Sequence, residues 1–326
     1  MAAPSEPAEP ITSFEEIGDL LVNLADALQV LVAGYGPPWA DGAPVLTDLL
    51  LDQEMEGTPL LDGVLMVNVY LEHAKDHLLA AAKIVDDQRV LMGCYTLARP
   101  VLGSASRAMW LLEPGISSVE RMRRAMNLQL KRLAELENIA SDRDPTLRKQ
   151  LAAVHAPVVE RMDLNARSVN LHLTHCGANK YGIHEPHFVG SKLLSDMVMQ
   201  KRLLDQDPDM PTSDLIYRVA STFVHGEYHL IDLLGRQIDA EPVAPGVAGV
   251  RFGVQLANLV AYLGSITLGI HRVALTTVRY AGLPDEVWQN LAQPIMARWK
   301  ATLDIVQSGA FRDFTASSPP PGPSHQ

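Results

Sequence analysis

The stretch "TSFEEIGDLLVNLADALQVLVAGYG", residues 12–36, carries the clearest indication of the fold class. Ser13, followed three residues later by Glu16, forms a capping box, the pattern that begins an α-helix. Apolar residues then recur at helical spacing until the pattern stops near Gly34 and Gly36. The stretch therefore predicts a long amphipathic helix with a clear beginning and end.

Helical signals continue along most of the chain. Ser117 and Glu120 form a second capping box, and Asp144 followed by Pro145 is typical of an N-cap with proline at the first helical position. Pro100 lies inside another helical pattern, where we expect a kink or a lost backbone hydrogen bond. No alternating β pattern of useful length and no internal repeat is visible. The sequence predicts an all-α, multi-helix bundle.

Changes in composition suggest how the chain is divided. The segment "DAEPVAPGVAG" is rich in proline and glycine and is predicted as a linker, and the final residues read as a disordered tail. The predicted order is a flexible N-terminal arm (1–10), a helical domain with an acidic first helix (11–238), the linker (239–249), a C-terminal helical hairpin packed on the bundle (250–310) and the tail (311–326).

Charge and cysteine content restrict the class of protein. The formal net charge is -11, which argues against a general nucleic-acid binder, and 47% hydrophobic with 20% charged residues is typical of a soluble globular protein. The acidic residues concentrate in positions 1–98, whereas positions 99–167 are mildly basic. Two cysteines, Cys94 and Cys176, are too few for a disulfide framework, so we expect a reducing, cytoplasmic setting.

Two segments bear on targeting and membranes. The first residues lack the basic and apolar regions of a signal peptide, so we expect none. Residues 253–270 contain no charged side chain, but polar Gln255 and Asn258 interrupt them. This pattern favours the core helix of a large bundle over a membrane span. We therefore expect no membrane partner.

The segment "YRVASTFVHGEYH" begins at Tyr217 and contains the strongest candidate site. Arg218 and His225 are seven residues apart, which places them on one helix face about 10 Å apart along the axis. Ser221 and Thr222 fill the turn between them. Such a face could hold an anion, with arginine clamping a phosphate and histidine acting as general acid or base.

The same residues have a purely structural interpretation. His225 could contact the last carbonyl groups of its helix before Gly226 ends it, while Arg218 pairs with a carboxylate on a neighbouring helix. Arg99 and Glu113 are fourteen residues apart and could share a face. A buried Glu113 that pairs with Arg218 would give both residues a structural role.

Two segments, residues 97–126 and residues 217–226, together support a family resemblance. An Arg-x(4–6)-His pattern on the last helix of an all-α bundle resembles the HEPN superfamily, the "higher eukaryotes and prokaryotes nucleotide-binding" domains. Residues 97–126 and 217–226, in this order, resemble largely uncharacterised actinobacterial proteins of HEPN-like build, and the likeness spans roughly residues 60–235. The residues that match are Arg99, Trp110, Glu113, Pro114, Gly115, Arg121, Arg124, Tyr217, Arg218, Ser221, His225 and Gly226.

The resemblance implies a HEPN-like core and a specific chemistry. Active members look like metal-independent endoribonucleases that form homodimers and need no cofactor. By that likeness His225 would handle the proton of an RNA 2′-hydroxyl or of the leaving oxygen, and Arg218 would stabilise charge on the phosphate. Val219 departs from the pattern, because active members often have a polar residue after the arginine. The alternatives are an enzyme acting on RNA or nucleotides and a catalytically silent helical protein, partner-binding or regulatory, that binds a partner or a nucleotide.

Histidines elsewhere offer a weaker metal hypothesis. Zinc sites use four cysteine or histidine ligands, but this spacing matches no standard zinc finger. The residues concerned are His172, His175, Cys176, His184 and His187.

A second histidine pair, His73 and His77, lies one helical turn apart with Glu72 and Asp76 nearby, as in ferritin-like metal bundles. No second Glu-x-x-His completes such a site, which favours a solvated helix face.

Overall fold

The protein is predominantly helical, as the sequence predicts. The computed structural model of the chain describes residues 8–87, 92–141, 144–205, 216, 218–219, 221, 235–244, 247–254 and 256–308. Its helices within these ranges are α1 (Phe14–Gly34), α2 (Pro44–Asp52), α3 (Pro59–Asp87), α4 (Met92–Leu111), α5 (Ser118–Ser141), α6 (Pro145–Ser168), α7 (Asp196–Leu204), α8 (Leu256–Tyr280) and α9 (Glu286–Ser308). Its strands are β1 (Leu173–Thr174), β2 (Phe188–Val189), β3 (Gly235–Ala244) and β4 (Val247–Val254).

The helix starts that depend on capping are confirmed. Ser13 is the N-cap of α1, and its hydroxyl oxygen accepts a hydrogen bond from the Glu16 amide at 3.2 Å. Asp144 caps α6 in the same way, accepting from the Thr146 amide at 2.7 Å. α4 continues through Pro100. Local capping patterns thus located these helices from sequence alone.

One large hydrophobic core joins the N-terminal and C-terminal helices. α3 and α4 pack against each other at the centre, α1 lies against α3, and α8 lies against α4. α9 packs on α8 and α1, and α7 packs on α4 and α8. The hairpin of α8 and α9 therefore contributes to the main core, with Trp288 and Trp299 almost fully buried. A smaller core lies under α5 and α6 and includes Met122, Met126 and Met162.

The described end of the predicted N-terminal arm, residues 8–10, contacts α9. The Arg298 side chain donates a hydrogen bond to the Glu9 carbonyl at 3.3 Å. Ile11 is fully buried, and its amide donates to Thr302 Oγ1 at 2.7 Å. Both partners lie on α9, so the chain is already held to the bundle before α1 begins.

The segment predicted as a linker is a β-hairpin instead. β3 and β4 pair antiparallel, with Ile238 opposite Arg251 and Gln237 opposite Phe252. The prediction of a linker at 239–249 was wrong, because the proline and glycine residues obscured the alternation of Val250, Phe252 and Val254. The following helix accordingly begins at Leu256, later than the expected residue 250.

Two other departures have local causes. α6 ends at Ser168, although no glycine or proline follows within the next several residues. Asn170 adopts a left-handed conformation with φ of 60°, which a helix cannot accommodate, and the Leu171 amide bonds back to the Ala166 carbonyl. The short helix α2 had no clear signal in the turn-rich connector before it, although Pro44 is favourable at its first position.

Two described helices, α1 and α8, are long and apolar enough to cross a membrane by length and composition. Half of the apolar window of α1 and 72% of that of α8 are buried inside the bundle. Core helices of soluble proteins meet the same test, so this finding is weak evidence for a membrane span.

Candidate functional site

The helix that carries Arg218 is anchored by apolar residues and presents its arginine to solvent. Ile216, Arg218, Val219 and Ser221 are helical. Ile216 and Val219 are each 3% exposed and belong to the main core. Arg218 is exposed and Ser221 is half-buried. Because successive residues are rotated by about 100°, Arg218 lies on a different face from the two anchors.

The departure at Val219 has a packing explanation. Its side chain lies in the core, where a polar residue would lose its hydration. The other predicted members of this site, Thr222 and His225, lie outside the described residues.

The expected pairing of a buried Glu113 with Arg218 is not what the structure shows. Glu113 follows the end of α4, and its carboxylate forms a short ion pair with Arg124 on α5. Arg202 on α7 lies 3.7 Å from the same carboxylate. Arg218 is exposed, and the partners of Glu113 are Arg124 and Arg202, so the structural alternative of a buried Glu113 paired with Arg218 gains no support.

Arg99 is not brought to Glu113 either. Arg99 is half-buried on α4, fourteen residues earlier, and this interval corresponds to about 21 Å of helix. Glu113 instead contacts α5 and α7 as described above. The two residues therefore do not form one site.

Arg121 is the centre of a buried ion pair. Its Nη1 donates to both carboxylate oxygens of Asp48, at 3.0 and 2.8 Å, and its Nε donates to the Leu111 carbonyl at 3.1 Å. The guanidinium also lies 4.8 Å from the ring centroid of Tyr280, whose hydroxyl donates a short hydrogen bond to Asp48. Burial, and then the charge of Asp48, raise the pKa of Tyr280. Arg121 thus connects α2, α5 and α8.

Arg124 and Arg123 hold the beginning of α5 in place. Arg124 donates to the Trp110 carbonyl at 2.6 Å and lies 5.0 Å from the centroid of the Trp110 ring. Arg123 donates to the Ser191 carbonyl at 2.9 Å. Both arginines also bind the carboxylate of Glu120, and hydrogen bonds from Arg123 and then Arg124 lower the pKa of Glu120 to about 2. Arg121, Arg123 and Arg124 therefore stabilise the packing of α5 against its neighbours.

The histidine segment does not gather four metal ligands. The rings of His175 and His187 lie 4.8 Å apart, but His187 Nδ1 accepts a hydrogen bond from the Cys176 amide at 2.8 Å. His184 is fixed through its backbone, which exchanges two hydrogen bonds with Asn138. His172 adds no fourth ligand, since the part of the chain that the structure describes contains no group of three or more side chains placed to hold a metal.

A small pocket beside Glu113 was not foreseen. It lies between α4 and α7, and the residues around it are Ser106, Met109, Trp110, Glu113, Met199 and Arg202. The sequence signal that could have revealed it is the run of large apolar residues before Glu113, but their partners on α7 are almost ninety residues later. Its lining pairs one carboxylate with one exposed guanidinium beside an indole ring.

Comparison with models of protein families, with curated proteins and with solved structures finds no match.

Proposed function

We propose that the protein has a HEPN-like core and cleaves RNA without a metal ion, using the helix face that carries Arg218 and His225. The observation that supports this proposal is the exposure of Arg218 on a helix whose neighbouring residues, Ile216 and Val219, are buried. An arginine that only stabilised the bundle would be expected to contact a carboxylate inside it, as Arg121 does.

The chemistry follows from the residue types on that face. On a continuous helix, the spacing of Arg218, Ser221 and His225 would bring the three side chains to one side, within the reach of a phosphate and its neighbouring ribose. His225 would accept the proton of the 2′-hydroxyl, whose oxygen attacks the adjacent phosphorus. The bond from phosphorus to the 5′-oxygen breaks, the 5′-oxygen takes up a proton from solvent, and a 2′,3′-cyclic phosphate remains. The guanidinium of Arg218 would stabilise negative charge on the phosphate in the transition state. In a homodimer, two such faces would form one composite cleft, as the family resemblance implies.

The test is RNA cleavage by the purified protein in the presence of EDTA, followed by analysis of the product ends. We expect 2′,3′-cyclic phosphate ends from the unchanged protein and none from His225→Ala or Arg218→Ala. Arg167→Ala is the matched control, because Arg167 is an exposed helical arginine on α6 with a side chain that is 66% exposed. Equal activity in Arg218→Ala and the unchanged protein would refute the proposed site.

A catalytically silent protein that binds a regulatory partner is the second candidate. The specific observation in its favour is that Arg121, Arg123 and Arg124, the most basic stretch of the resemblance, are occupied by internal contacts and offer no open phosphate-binding surface. The net charge of -11 also opposes binding of a polyanion. The absence of RNA cleavage by the unchanged protein would favour this candidate.

A further inference from the structure

The surface of α3 carries a histidine pair whose geometry differs from that of a simple solvated face. His73 and His77 lie one turn apart, and their Nε2 atoms are 3.0 Å from each other. The rings are nearly perpendicular, with centroids 4.4 Å apart. The Nε2 atoms of the two rings thus meet beside the helix.

From this arrangement we propose that His73 and His77 form a two-histidine binding site for a divalent transition-metal ion. A Zn²⁺–nitrogen bond is about 2.0–2.1 Å long, so two nitrogen ligands at adjacent positions on one ion lie about 2.9–3.4 Å apart. The observed separation falls within this interval. The ion replaces the hydrogen bond between the two rings.

A buried serine holds the first ring in the required orientation. Ser104, on α4, is 4% exposed, and its Oγ lies 2.8 Å from His73 Nδ1. A proton on Nδ1 donated to this oxygen leaves the lone pair on Nε2 directed toward His77. Ligating histidines are commonly held in this way by a hydrogen bond from the second ring nitrogen, which fixes the tautomer.

Two acidic residues lie beside the pair on α3. The Asp76 carboxylate is next to His77 in the chain and 4.0 Å from Lys75 Nζ, and its negative charge attracts a cation. Glu72 is occupied by an ion pair with Lys75.

The ligand set determines the class of metal. Two imidazole nitrogens, with water completing the coordination, suit Zn²⁺, Ni²⁺ or Cu²⁺ rather than Mg²⁺ or Ca²⁺, which prefer oxygen ligands. Among these ions Cu²⁺ is expected to bind most tightly. The ligands are ordered in advance, because α3 and α4 pack at the centre of the bundle.

The experiment is titration of the full-length chain, without a histidine tag, with Cu²⁺ and separately with Zn²⁺, monitored by calorimetry. We expect binding by the unchanged protein, and a Cu²⁺ electron paramagnetic resonance spectrum that shows coupling to two imidazole nitrogens. His73→Gln and His77→Gln should each remove this two-nitrogen signal while keeping the circular dichroism spectrum. The double variant His175→Gln with His187→Gln is the matched control, since those rings are similarly close but His187 Nδ1 accepts a hydrogen bond from a backbone amide.

Ser104→Ala tests the positioning role separately. Loss of such a supporting hydrogen bond should weaken metal binding by about 10- to 100-fold. An unchanged affinity would overturn the role of Ser104. The metal site itself would be overturned by the absence of binding in the unchanged protein, or by a two-nitrogen signal that persists in His73→Gln and disappears in the control.

Discussion

The beginning of α5 and the helix around Arg218 use arginine in opposite ways. Arg121 and Arg124 are buried and bind carboxylates and carbonyl groups of other helices. Arg218 is exposed, and its neighbour Val219 supplies the packing. Residue type alone did not distinguish the two regions, yet Arg121 and Arg124 stabilise the bundle whereas Arg218 faces solvent.

The difference lies in burial: Arg121 and Arg124 are buried, whereas Arg218 is exposed. A buried guanidinium is tolerated only when an opposite charge and hydrogen-bond acceptors compensate for its lost hydration. Asp48 provides this for Arg121, although it is seventy-three residues earlier. An exposed arginine needs no such partner, because water solvates it.

The largest expected effect is the loss of the buried ion pair. Arg121→Ala should lower the free energy of unfolding by about 3–5 kcal/mol, because it leaves Asp48 buried without a counter-charge. Urea unfolding followed by circular dichroism measures this. The double variant Arg121→Met with Asp48→Leu should be less destabilised than Arg121→Ala, since it removes both charges; a loss below about 1 kcal/mol in Arg121→Ala would contradict a stabilising role.

A smaller loss of stability is expected when Arg124 is replaced. Arg124→Ala should lower the free energy of unfolding by about 1–3 kcal/mol, because the Trp110 carbonyl loses a charged donor. The partner carboxylate of Glu113, whose side chain is 37% exposed, can still be hydrated. Glu113→Gln is the matched variant and should cost less, as the guanidinium keeps its bond to the carbonyl. The same urea experiment measures both variants. An equal loss of free energy of unfolding in the two would argue against a stabilising role of the bond from Arg124 to the Trp110 carbonyl.

The arginines of α5 should also make the stability of the protein depend on pH through Glu120. Glu120 has a folded pKa of about 2, below its usual value of 4.5, so its stabilising contribution is fully present above about pH 4.5 and is lost as the pH falls through 2. Glu120→Gln should therefore flatten the fall in melting temperature between these limits. Glu15→Gln serves as the control, since Glu15 lies in the first turn of α1 without that arginine pair. Identical acid profiles for Glu120→Gln and the unchanged protein would exclude the proposed linkage.

The smallest effect on stability belongs to the exposed arginine. Arg218→Ala should change the free energy of unfolding by no more than about 0.5 kcal/mol, because the side chain is exposed. Arg218→Ala should nevertheless abolish RNA cleavage. Val219→Ala is the opposite control, since it should destabilise the bundle by removing a buried side chain. A large loss of stability in Arg218→Ala would place that residue among the arginines that stabilise the bundle.

Local patterns predicted the helices well. The capping boxes and helical periodicity located α1, α5 and α6, and the two C-terminal helices lie within a few residues of their expected bounds. The β-hairpin escaped prediction because its strands are recognised mainly by their pairing with each other, while Pro242 and Pro245 read as linker residues.

The sequence predicted only part of the candidate site around Arg218. Residue types singled out Arg121, Arg124 and Arg218 alike, but their burial depends on partners far along the chain. The apolar spacing of Ile216 and Val219 contained the one local signal that Arg218 faces outward. For His73, the partner Ser104 lies on the next helix, so its orientation could not be derived from the spacing of the two histidines.

The contrast between the two arginine segments can be tested most directly by chemical modification of the native protein with an arginine-specific dicarbonyl reagent, followed by mass spectrometry. The account predicts rapid modification of Arg218 and protection of Arg121, Arg123 and Arg124 until the protein is unfolded in urea. Protection of Arg218 in the native protein, with Arg121 modified at the same rate as in urea, would contradict it.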